Sequence, residues 1–123
     1  MASENIYRLI DAGDSKAIRL IADINPSDPR DISPLHWAIR GSQKEIAREL
    51  IARKAEINGQ DDNGWTPLII AANYGLPEVV QDLLNAGADF KIKNHKNRTA
   101  LYYAVVHKYA DIESMLRAKG CDF

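Results

Sequence analysis

Apolar residues in this chain recur in short bursts at helical spacing, divided by polar stretches that carry glycine, asparagine and aspartate. Leu68, Ala71 and Ala72 fall at i, i+3 and i+4, which puts them on one face of a helix. Thr66 before them is a good helix N-cap, and Pro67 suits the first helical position, where its missing N–H costs nothing. Gly75 stops this helix. Pro77 and Glu78 start a second one, with Val79, Val80, Leu83 and Leu84 as its buried stripe and Gly87 at its end. The stretch from Asp89 to Asn97 is polar and extended, a connector. The same pattern holds upstream, with Leu35, Ala38 and Ile39, then Ile46, Ala47, Leu50 and Ile51. Downstream it is Leu101, Ala104 and Val105, then Ile112 and Leu116. Helices of about three turns or fewer are marginal in water, so each must bury its stripe against a neighbour.

The pattern repeats at a fixed period. Ser33-Pro34-Leu35-His36, Thr66-Pro67-Leu68-Ile69 and Thr99-Ala100-Leu101-Tyr102 lie 33 residues apart. So do Leu50, Leu83 and Leu116, then Ala55, Ala88 and Cys121, then Ile57, Phe90 and Phe123. A constant period means stacked copies of one unit. Two positions before each Ser or Thr stand Asp31, Gly64 and Asn97, residue types that tolerate a left-handed backbone, so φ > 0 is expected there. Lys54 takes the place of Gly87 and Gly120. If left-handed too, it costs about 1 kcal/mol relative to glycine.

Residues 61–93 resemble an ankyrin repeat nearly position for position, and Ser33 to Ala38 matches that family's Thr-Pro-Leu-His-x-Ala signature with Ser for Thr. The resemblance implies an all-α fold: an ankyrin-repeat solenoid of helix-turn-helix units with β-turn fingers, whose inner helices and finger tips form a concave face. One domain over residues 1–123 is expected, with units at about 1–27, 28–60, 61–93 and 94–123. The first unit reads as an N-terminal cap with a shorter connector. The last reads as a C-terminal cap, because Glu113 and Arg117 stand where Val80 and Leu84 stand one unit earlier. Polar end faces lead us to expect a monomer.

Composition narrows the function. The chain has 123 residues, is 46% hydrophobic and 27% charged, and carries a formal net charge of −1, which gives no general attraction to nucleic acid or membrane. No signal peptide or membrane-length apolar run is evident. One cysteine permits no internal disulfide and no cysteine-pair metal site, and fits a cytoplasmic or nuclear protein. No catalytic, cofactor or metal site is expected. The glycines are turn residues rather than a phosphate loop. His36 occupies the signature position, where histidine holds the repeat together, and its counterparts Ile69 and Tyr102 share no chemistry with it. Cys121 stands at a small apolar position without a partner base. His95 and His107 lack metal-ligand spacing. Asp61-Asp62 reads as a turn with solvated carboxylates.

A binding surface is better supported. In ankyrin repeats the finger tips and the last turn of the inner helix face the partner. Carried over by position, this implicates Pro29, Arg30, Ile32 and Arg40 in the second unit. In the third it implicates Asp62, Asn63, Trp65, Asn73 and Tyr74, and in the fourth His95, Lys96, Arg98, Val106 and His107. Trp65, read as pointing away from the helix stack, and Tyr74 are the expected anchors, since aromatic residues and arginine dominate hot spots. Trp37 reads as packing. Residues 90–110 hold Lys91, Lys93, Lys96, Arg98 and Lys108, two histidines and no acid, so the expected protein partner presents an acidic segment to Arg40, Lys96 and Arg98. Two alternatives are a basic contact to nucleic acid or a phosphorylated partner, which the acidic Asp61-Asp62 finger opposes, and a purely structural repeat scaffold. Asn58 resembles the finger asparagines that are hydroxylated in animal ankyrin repeats.

Overall fold

The computed structural model describes residues 34–120. Pro29, Arg30, Asp31, Ile32, Cys121 and the unit at 1–27 lie outside the described residues. Six helices follow one another among the described residues: α1 Pro34–Arg40, α2 Lys44–Ala52, α3 Pro67–Tyr74, α4 Pro77–Asn85, α5 Ala100–Val106 and α6 Ala110–Ala118. No strand occurs among the described residues.

Local chemistry sets the helix ends. Thr66 is extended at the N-cap of α3, and its Oγ1 accepts the Ile69 N–H at 3.2 Å. Thr99 takes the same backbone shape before α5 but makes no cap bond, and its buried hydroxyl has no partner among the described residues. Inner helices end in a left-handed residue at Ser42 (φ 56°), Gly75 (φ 71°) and Lys108 (φ 62°). Outer helices end the same way at Lys54 (φ 66°), Gly87 (φ 90°) and Gly120 (φ 95°). The N–H of the residue after each inner-helix stop returns to the carbonyl of Ala38, Ala71 or Ala104 at 2.8–3.1 Å. Gly64 (φ 81°) and Asn97 (φ 63°) are left-handed as their residue types suggested, and Lys54 is left-handed despite its side chain.

Each unit pairs an inner helix with an outer one: α1 on α2, α3 on α4, α5 on α6. Inner helices stack on inner helices, and outer on outer. All the stripe residues named above are buried except Val105, which is half-buried. One expectation is corrected. The stripe of α3 was read as a single face, yet Leu68, Ile69, Ile70, Ala71 and Ala72 are all buried. This helix lies against α1, α4 and α5 at once, so three of its sides are covered.

The two described unit-to-unit contacts differ in chemistry. Lys44–Glu78 at 3.9 Å and Arg48–Asp82 at 2.6 Å bridge α2 to α4, and Arg40 pairs with Asp61. Between the next two units, Tyr109 covers Gly75, and the Trp65 and Tyr103 rings stack with centroids 4.8 Å apart.

Candidate functional site

Two fingers are organised by buried side chains at equivalent positions. Asp61 is 4% exposed, and its Oδ1 accepts the N–H groups of Asn63 (3.0 Å) and Trp65 (2.9 Å). Its second oxygen accepts from Arg40. Asn94, 33 residues on, is also 4% exposed. Its Oδ1 accepts from Lys96 N–H (2.9 Å) and Arg98 N–H (3.1 Å), while its Nδ2 donates to the Tyr103 hydroxyl (2.8 Å). A short side chain that bonds backbone groups two and four residues on folds the tip into a tight turn. Asp61 was read as a solvated carboxylate, and that is corrected: only Asp62 of this pair is exposed. The sequence held the signal in the shared period of Asp61 and Asn94, and composition alone did not separate the buried acid from its exposed neighbour.

The fingers also lock to each other. His95 N–H donates to the Asn63 carbonyl at 3.1 Å. A Cβ on Gly64 would lie 2.6 Å from His95 Cδ2 and 2.8 Å from His95 N, so glycine is required here by the neighbouring finger as well as by its φ. Gln60 Nε2 donates to the carbonyls of Gly64 (2.9 Å) and Lys93 (3.1 Å). Asn58 Oδ1 accepts the Asp89 N–H at 2.8 Å, which ties successive connectors together.

Several predicted anchors are already engaged. Trp65 is half-buried, packed on the core and stacked on Tyr103, so its side chain does not stand free of the helix stack; that expectation is corrected. Its carbonyl accepts from His36 Nε2 at 2.9 Å. His36 thus does what its signature position implied. Burial lowers its pKa from the ordinary 6.5, against the raising effects of the Trp65 carbonyl and Asp61, so the ring is held neutral with the proton on Nε2. Arg40 is committed to Asp61, which removes it as a free steering charge. Arg98 is half-buried, with its guanidinium 4.4 Å from the Tyr102 ring centroid. Trp37 packs against the core, as read.

What remains open lies at the ends of the inner helices. Tyr74 (43% exposed) and Val106 (52%) are the exposed large hydrophobic residues among those described. They close α3 and α5, and His107 Nε2 donates to Asn73 Oδ1 at 2.7 Å between the same two helix ends. Asn73, Tyr74 and His107 are therefore brought together. Asp62, Asn63, His95 and Lys96 are exposed on adjoining fingers. An open depression of about 550 Å³ lies elsewhere, on the outer helices between Glu45, Glu49, Asp82 and Asn85.

Charge is segregated along the chain. From residue 55 to 90 the chain has six acids and no lysine or arginine. Asp61, Glu78 and Asp82 pair backward with Arg40, Lys44 and Arg48. Among the described residues Lys91, Lys93, Lys96 and Arg98 have no ion-pair partner. No group of histidine, cysteine or acid side chains suited to a metal ion occurs among the described residues, and no helix there is long and apolar enough to cross a membrane.

These features define a helical repeat whose fingers and inner-helix ends carry exposed side chains. The family profile for ankyrin repeats, in three copies, matches residues 6–94, and the chain belongs to the ankyrin-repeat family. It is 37% identical over 100 residues to a putative ankyrin repeat-containing protein of Treponema pallidum, covering 80% of this chain and 31% of that protein. It is 46% identical over 65 residues to the human NAD-capped RNA hydrolase NUDT12, covering 52% of this chain and 14% of the hydrolase. It is 32% identical over 103 residues to the Schizosaccharomyces pombe glycerophosphocholine phosphodiesterase gde1, covering 81% of this chain and 9% of that enzyme. The chain thus spans a minor part of each of these relatives. Ankyrin repeats are a non-catalytic fold that generally mediates protein–protein interaction.

Proposed function

We propose that this chain is a non-catalytic docking module that holds one protein partner on its inner face, in the cytoplasm or nucleus, and serves as an inhibitor, scaffold or assembly factor. The observation that carries this reading is the exposure of both Tyr74 and Val106. Two large apolar side chains left exposed at adjoining inner-helix ends, beside the Asn73–His107 bond, form the beginnings of an interface core with a polar rim. Tyr74 replaces Trp65 as the leading anchor, because the indole is already spent on Tyr103.

The test is a pull-down from cell extract with wild type, a Tyr74→Ala/Val106→Asp variant and a Glu113→Lys control on the outer helix. Proteins retained by wild type and control but lost from the double variant support the reading. Loss with Glu113→Lys and retention by the double variant would place the partner on the outer side and overturn it.

A further inference from the structure

We infer that the fourth finger and the end of α5 together recognise a short extended acidic peptide with one large apolar residue set three to four positions from its acids. This rests on the inner-face reading above and specifies the chemistry of what that face takes.

Three observations carry it. First, Lys91, Lys93, Lys96 and Arg98 fall within eight residues of sequence, and none is neutralised by an acid among the described residues. The acids nearest in the chain and on the adjoining finger are Asp89 and Asp62, which offset part of this charge but form no ion pair with it. Secondly, the opposite end of α5 carries the exposed Val106, with Tyr74 at the end of the neighbouring inner helix. Lys108 adds one further positive charge there, but Asp111 follows three residues on, so the dense positive end is the finger. Thirdly, the distance between the two ends is set by the fold. Helix α5 is seven residues long, which at 1.5 Å per residue sets Val106 about 10 Å along the axis from the helix start that the finger leads into. An extended chain advances roughly 3.3 Å per residue, so about three positions span that gap.

A nucleic acid fits less well. A phosphate backbone, with a charge every few ångströms, would run past one finger onto Asp62 and the stretch 55–90, which has no lysine or arginine. The rings that would stack on bases are taken, Tyr102 by Arg98 and Trp65 by Tyr103. A segment of four or five residues uses the positive finger and stops.

The experiment is a selection of phage-displayed random twelve-residue peptides on the immobilised full chain, followed by fluorescence anisotropy with the enriched peptides. The comparisons are the Lys91→Glu/Lys93→Glu/Lys96→Glu variant, the Tyr74→Ala/Val106→Asp variant and an oligothymidylate competitor. All substituted side chains are exposed, and circular dichroism verifies the fold. The expected result is peptides with two or more acids three to four positions from a large apolar residue. Their affinity should fall at least tenfold in either variant, and about fivefold or more between 50 and 300 mM salt, because the charges are solvent-exposed. Enriched peptides that lack acids, bind the lysine variant unchanged and are lost from the Tyr74/Val106 variant would sink this inference and leave the inner-face reading standing. Peptides indifferent to the Tyr74/Val106 variant, or no enrichment at all, would count against both. Displacement by oligothymidylate at concentrations below the peptide's own Kd would replace the peptide with nucleic acid.

Discussion

Gly64 and Gly87 are both left-handed, at φ 81° and 90°, and alanine at the two sites should have very different costs. At Gly87 a Cβ would meet nothing within 4 Å. Gly87→Ala then bears only the left-handed penalty of about 1–2 kcal/mol, reduced by about 0.4–1 kcal/mol because alanine restricts the unfolded chain. The net loss is roughly 1 kcal/mol. At Gly64 the same Cβ would lie 2.6 Å from His95 Cδ2, 2.8 Å from His95 N and 3.1 Å from Asn94 Cα. Two of these are backbone atoms that cannot swing aside. Relief requires the fourth finger to shift, which threatens the His95–Asn63 bond and adds the roughly 1–3 kcal/mol typical of overpacking. Gly64→Ala should therefore cost about 2–4 kcal/mol. Urea denaturation followed by circular dichroism reads the difference. With an m-value near 1.5 kcal/mol/M, inside the usual range for small proteins, a gap of about 2 kcal/mol separates the two midpoints by roughly 1.3 M. Equal midpoints, or a larger loss at Gly87, would refute the claim that contact between fingers is what demands glycine at residue 64.

Trp65→Ala should lower stability by at least about 1 kcal/mol, since it removes a stacked aromatic pair and part of the core cover, and a thermal melt indistinguishable from wild type would contradict the packing described here. Lys54→Gly should stabilise the chain by up to about 1 kcal/mol, because lysine sits there at φ 66°; a lower urea midpoint would show that the lysine side chain contributes more than its backbone costs. His36 has a folded pKa below its ordinary 6.5, so in the window below that value the unfolded chain binds more protons and stability falls with falling pH. A His36→Gln variant should show a flatter stability profile between about pH 6.5 and 5 than wild type, and parallel profiles would mean that His36 is not desolvated.

The helices were legible because their signals are local. Thr66-Pro67 opens α3 and Gly75 closes it through bonds no longer than one helical turn, so residue order alone dictates them. Left-handed turns at Gly64 and Asn97 were legible for the same reason, and period carried the reading across units. The finger residues were placed correctly in sequence but misjudged in state. Asp61 and Asp62 are adjacent and chemically identical, yet one is buried under Arg40 and the other lies in water. That difference comes from α1, a unit earlier in the chain.

By itself, then, the sequence determined a periodic stack of helix pairs, the positions of its turns and a strip of candidate contact residues. The tertiary structure decided which members of that strip remain available. It spent Trp65 on Tyr103, Arg40 on Asp61 and Arg98 on Tyr102, and it left Tyr74, Val106, Lys91, Lys93 and Lys96 open. The physical reason is that turn and helix preferences act over a few residues, whereas the availability of a side chain depends on what the neighbouring unit, some 33 residues away, brings against it.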